Sequence, residues 1–119
     1  MSTAAVRTTT VGRCPHPNDF DQRRIERALK ARKRYRYVSP SVATVEGGYL
    51  VESPCCSRNI DPDGGVVDIA LMLYDENRAA WRLFRKNHDT RVWEFHSAYD
   101  RLIELLDDLN EDPAREFWQ

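Results

Sequence analysis

Two places in this chain carry residues that bind soft or borderline metals: Cys14 with His16, and the adjacent Cys55 and Cys56. Together they form a donor set that zinc accepts. A zinc ion there would staple the N-terminal segment to the loop holding the cysteine pair. The spacing fits poorly, because structural zinc sites favour ligands a few residues apart and adjacent cysteines rarely both reach one ion. The plainer expectation is small, half-buried loop cysteines and no cofactor.

Acid–base chemistry has two further candidates. His88 lies beside Asp89 in a tight turn, and His96 lies two residues from Glu94. An imidazole near a carboxylate can act as a base. Such pairs are common on surfaces, and no nucleophile elbow or phosphate loop accompanies them. Asp61, Asp63 and Asp68 lie among glycines but lack the alternating ligands and closing Glu of a calcium loop. The expectation is a protein without catalysis.

The densest charge is basic. Arg23, Arg24, Arg27, Lys30, Arg32, Lys33, Arg34 and Arg36 are eight cations against one anion, Glu26. On a helix spanning 20–36 they form a surface that attracts phosphate, and Tyr35 and Tyr37 could stack on bases. An acidic stretch could neutralise it instead: seven anions between Ala98 and Glu116 stand against Arg101 and Arg115. The expected interface is therefore Arg23, Arg24, Arg27, Lys30, Lys33, Arg34, Tyr35, Arg36 and Tyr37, meeting a protein partner or, alternatively, nucleic acid.

These residues need a frame. A length of 119 residues, 41% hydrophobic, fits one domain with one modest core. The net charge of −1 argues against a protein that is basic overall. No apolar run suits a membrane span, and no secretory signal is expected. An odd cysteine count argues against a disulfide framework and suggests a reducing cytoplasm. Residues 1–18, small, polar and proline-interrupted, read as a flexible arm before a domain over 19–119.

Asn18 or Asp19 can cap the first helix, which should end before Pro40. Its narrow inner stripe is Ile25, Ala28, Leu29, Arg32 and Arg36. Val42–Glu46 and Tyr49–Glu52 read as a hairpin turning at Gly47-Gly48. Val66 to Ser97 reads as a three-strand meander broken at 75–78 and 87–90. Counting alternation puts Ile69, Leu71 and Leu73 on one face of its first strand, and Trp81, Leu83, Trp93 and Phe95 together later. A second face would carry Met72, Tyr74, Phe84 and Val92, open to a partner or a homodimer. The cover should be a helix starting at Ser97 with a stripe of Tyr99, Leu102, Ile103, Leu106 and Leu109. Phe117 and Trp118 should fold back or meet a partner. The fold class is α+β: an antiparallel sheet of about five strands with a basic N-terminal helix and an amphipathic C-terminal one.

The order of motifs, from Arg24-Ile25-Glu26-Arg27-Ala28-Leu29 through Glu52-Ser53-Pro54, Trp81-Arg82-Leu83-Phe84 and Trp93-Glu94-Phe95-His96 to Asp112-Pro113-Ala114-Arg115-Glu116-Phe117-Trp118, resembles the small bacterial family catalogued as domain of unknown function 3024. The resemblance covers about residues 20–118, and Asp-Pro-x-x-x-Phe-Trp is its most specific piece. That family usually has glycine after the tryptophan, where this chain has Gln119. The resemblance implies a bacterial intracellular setting and the order of elements, and it implies no activity.

Overall fold

Runs rich in valine, tyrosine, leucine and tryptophan pair in the order in which they occur. The computed structural model describes residues 15–33, 39–54 and 65–118. Helix α1 (Asp19–Ala28) runs into a 3₁₀ turn (Leu29–Ala31). Strands β1 (Ser41–Val45), β2 (Gly48–Pro54), β3 (Val66–Asp75), β4 (Ala80–Asn87) and β5 (Val92–Tyr99) follow, then helix α2 (Leu102–Glu111). The five strands make one antiparallel sheet in sequence order, so the α+β class is observed. Each connection is local, as a meander requires.

Both helices lie on one face of the sheet. Asn18 caps α1: its side-chain oxygen accepts the Asp21 N–H at 2.7 Å. Ile25 and Leu29 face inward and pack with Val42, Tyr49 and Val51. Leu102, Leu105, Leu106 and Leu109 carry α2 onto β4 and β5. Burying such a leucine contributes about 1.5–3 kcal/mol. The stripe differs from expectation. Tyr99 belongs to β5, Ile103 is 42% exposed, and Leu105 takes the inner place. The helix also starts later, with Arg101 as N-cap, because Ser97 is bonded within β5.

Two bulges decide which residues share a face. Val51 pairs with Ala70 but Glu52 pairs with Asp68, so Ile69 is an extra residue in β3. It joins Ala70 and Met72 under the helices instead of Leu71 and Leu73. Likewise Leu83 pairs with Ser97 but Phe84 pairs with Phe95, which leaves His96 extra in β5. Beyond it the alternation reverses. Trp81 is buried under the helices, whereas Trp93 and Phe95, expected beside it, lie on the opposite face with Phe84. Met72 and Tyr74, expected on the open face, belong to the roofed one.

The hairpin turn is also displaced by one residue. Val45 pairs with Gly48, so Glu46 and Gly47 make the turn, with Gly47 at φ 80°. Gly48 sits in the ladder because a Cβ there would collide with the Met72 carbonyl oxygen. Gly48→Ala is expected to destabilise by about 2 kcal/mol through forced separation of β2 from β3. Gly47→Ala, with open space around it, loses only about 1 kcal/mol from its positive φ. Urea unfolding of the two variants checks the difference.

The first helix is shorter than the 20–36 expected from its charge run. Arg32 is already extended at ψ 153°. Asn110 ends the helix from across the core: its side-chain Nδ2 donates to Ala28 O at 2.9 Å, and its backbone carbonyl accepts the Lys33 N–H at 3.2 Å. The tail after α2 folds back, with Phe117 and Trp118 4% and 1% exposed. Asp112, in the left-handed region at φ 41°, turns the chain. Its carboxylate accepts the N–H groups of Glu116 (2.8 Å), Phe117 (3.1 Å) and Trp118 (2.8 Å).

Candidate functional site

The anticipated basic surface is partly taken up by the fold. Arg32 is buried, its Nη1 donating to Leu29 O at 2.8 Å and its guanidinium stacked 5.1 Å from the Trp118 ring. Arg24 pairs with Asp21 at 2.9 Å, and Lys33 with Glu111 at 2.9 Å. Arg23 and Arg27 on α1 and Lys30 in the 3₁₀ turn remain exposed, and they form no ion pair among the described residues. Arg34, Tyr35, Arg36 and Tyr37 lie outside the described residues.

His16 is the described member of the metal candidate; Cys14, Cys55 and Cys56 lie outside the described residues. Its ring sits among Tyr49, Tyr74 and Trp81, with centroids 5.7, 5.0 and 4.5 Å away. Nδ1 is 2.9 Å from the Tyr49 hydroxyl, which also accepts the Asn18 N–H at 2.9 Å. His16 and Asn18, ahead of residue 19, thus contact the sheet. Among the described residues no group of three or more His, Cys, Asp or Glu side chains could hold a metal ion. Burial lowers the His16 pKa from 6.5, partly opposed by Asp21. Protonation is thus easier in the unfolded chain than in the folded one. His16 stabilises fully above about pH 6.5, and that stability is lost as pH falls toward its depressed folded value. His88 shifts the same way, chiefly by burial. A His16→Gln variant should therefore show a flatter, not a flat, fall in thermal midpoint between about pH 7 and 5.

His96 does not meet Glu94. The bulge turns it toward the tail, where Nε2 lies 2.9 Å from Glu116 Oε2. Glu94 instead accepts from Asn87 at 3.1 Å and Arg85 at 2.9 Å, contacts that hold its carboxyl below the ordinary range. From His96 a chain continues: Nδ1 to Ser97 Oγ at 2.7 Å, Ser97 Oγ to the Tyr99 hydroxyl at 2.7 Å, and Tyr99 to Asp108 Oδ2 at 2.8 Å. Burial is the main cause pushing the Tyr99 hydroxyl up to about 12, so it stays a donor. Acid, imidazole and hydroxyl in succession match the composition of a nucleophile relay. Ser97, however, is engaged on both sides, and the grooves around His16 and Tyr74 do not reach it. The chain ties β5 to the tail and to α2.

The face away from the helices holds the most unusual arrangement. Its central row crosses the whole sheet: Ala43 beside Leu50, Leu50 beside Leu71, Leu71 beside Phe84, Phe84 beside Phe95. Every member is apolar. None is fully buried, and Phe95 is 54% exposed. One flanking row runs Val45, Gly48, Leu73, Arg82, Ala98. The Arg82 guanidinium lies 5.5 Å from the Phe84 ring and 5.3 Å from that of Phe95. On the other flank Glu52 pairs with Asp68, and Lys86 with Trp93. Lys86 Nζ is 3.0 Å from Asp68 and 4.8 Å from the Trp93 ring. Cations over aromatic faces at exposed sites contribute about 0.5–1 kcal/mol each. Among the described residues nothing lies over this face.

Sequence reasoning missed this surface as a unit. Phe84 was legible as outward-facing, but its partners Phe95 and Trp93 were assigned inward because the extra residue at His96 leaves no mark in composition. Comparisons with curated proteins and with solved structures return no match. A family model described as domain of unknown function (DUF3024) matches residues 14–119. The motif order, the five-stranded meander and the closing Asp112-to-Trp118 turn agree with that match, and the chain belongs to this family.

Proposed function

We propose that this is a small non-catalytic binding or accessory protein that docks a protein partner on the open face of its sheet. The observation that carries the reading is the apolar row from Ala43 to Phe95, unroofed among the described residues. A contiguous apolar patch of that kind marks an interaction surface. The setting fits a reducing bacterial cytoplasm, on the family resemblance and the odd cysteine count. No helix among the described residues is long and apolar enough to cross a membrane.

A second reading takes nucleic acid or another acidic polymer on Arg23, Arg27 and Lys30, favoured by their exposure without ion pairs. The two surfaces cannot act as one, since α1 packs on the roofed face. A capture experiment separates them. The full chain is immobilised beside Leu71→Asp and Arg27→Glu variants and exposed to cell extract. The sheet-face reading expects a protein retained by the wild type and by Arg27→Glu but lost by Leu71→Asp. Loss with Arg27→Glu alone, with release in moderate salt, would move the function to α1.

A further inference from the structure

We infer that the occupant of the open face is a second copy of the chain, packed sheet to sheet about a two-fold axis that runs along β3. The inference rests on the reading of that face as the binding surface and adds the identity of its partner. Packed sheets lie about 10 Å apart with strands nearly aligned. A two-fold along β3, the middle strand, lays β1 over β5 of the second copy and β2 over its β4. The two halves of the face differ in size in a way that suits this operation. Small groups stand on β1 and β2, large ones on β4 and β5. In the central row Ala43 meets Phe95, Leu50 meets Phe84, and Leu71 meets itself. In one flanking row Gly48, which has no side chain, lies opposite Arg82. In the other, Glu52 lies opposite Lys86.

The flanking charges of Glu52 and Lys86 agree with this pairing, and Asp68, which the axis sets opposite its own copy, keeps Lys86 of its own chain as counter-ion at 3.0 Å. Glu52 has no cation partner among the described residues, and Arg82 has no carboxylate. Glu52 gains Lys86 of the second copy, while Arg82 stays stacked on the Phe84 and Phe95 rings of its own chain. The face sets Arg82 and Lys86 against Glu52 and Asp68, so it has no excess charge with which to attract a polyanion. Five strands at 4.8 Å spacing by about 17 Å of strand give roughly 400 Å² of flat area per copy. Side-chain relief brings the total for two copies to about 1,000–1,300 Å², the lower end of specific interfaces. Such an interface gives a reversible dimer, and it turns both helical layers outward, so that Arg23, Arg27 and Lys30 appear on two opposite surfaces.

Light scattering or sedimentation of the full chain from roughly 1 to 200 µM, a span that reads weak reversible dimers and tighter ones alike, tests this. The mass should rise from 13.9 kDa toward twice that value. Leu71→Asp, which places like charges on the axis, should hold it at 13.9 kDa with unchanged circular dichroism. Glu52→Lys and Lys86→Glu should each weaken association about tenfold, and the double exchange should recover it to within about threefold. A mass of 13.9 kDa throughout overturns the inference, as does a dimer indifferent to Leu71→Asp or a double exchange no better than either single one. A monomeric chain whose extract partner is nevertheless lost by Leu71→Asp removes the second copy and keeps the binding face. A monomeric chain for which Leu71→Asp changes nothing in extract removes both.

Discussion

Trp118→Ala is expected to lower the unfolding free energy by about 4 kcal/mol, the largest single loss in the chain. The indole is 1% exposed and lies in the same core as the α2 leucines. Truncation removes the transfer energy of a large aromatic group and leaves a cavity between two helices. It also frees the Leu109 carbonyl, which accepts the indole Nε1–H at 2.9 Å, and strips the ring from the buried Arg32 guanidinium. Trp118→Phe keeps most of the packing and should lose about 1–2 kcal/mol. Urea unfolding followed by far-ultraviolet circular dichroism measures both variants without relying on tryptophan emission.

Asp112→Ala should cost about 3 kcal/mol by a different route. No cavity of consequence forms. Instead the N–H groups of Glu116, Phe117 and Trp118 lose their acceptor, the last two inside a buried turn. Each unsatisfied buried donor costs about 1–3 kcal/mol, and undocking of the tail caps the total. Alanine is also less tolerant than aspartate of the left-handed conformation at 112. Asp112→Asn keeps the turn but presents an amide that accepts on one side only, so its loss should fall between alanine and wild type. Proteolysis near the C-terminus should increase in the same order. The closing Asp-Pro-x-x-x-Phe-Trp is thus a structural fastening, with the carboxylate as clasp and the indole as anchor.

That motif was visible in the residues, and so were the order of elements, the meander and the leucine stripe of α2. Each is a local signal: turn residues at fixed places and apolar spacing within one element. What escaped reading depended on partners distant in the chain. Helix α1 was expected to follow its charge run to residue 36, but Asn110 ends it from α2. Arg32 counted among the eight cations but also stood on the inner stripe, and the stripe was the better guide: Trp118 folds over it. Parity on the sheet was wrong beyond each bulge, since one extra residue reverses every later assignment. The candidate site suffered most from this. Phe95 and Trp93 were placed under the helices, and the open face lost two of its three aromatic groups. Of the basic residues proposed for recognition, Arg23, Arg27 and Lys30 stand exposed as their spacing suggested, whereas Arg24 and Lys33 are paired.

Docking on the open side requires that the sheet have one roofed face and one accessible face. Hydroxyl-radical labelling of the full chain at low concentration, read residue by residue, tests this most directly. Phe84, Trp93 and Phe95 should be oxidised while Trp81, Phe117 and Trp118 are spared, and the first three should become protected once the chain is in complex with its own copy or with a captured partner. Equal labelling of Trp81 and Trp93, or protection in the complex confined to α1, would contradict it.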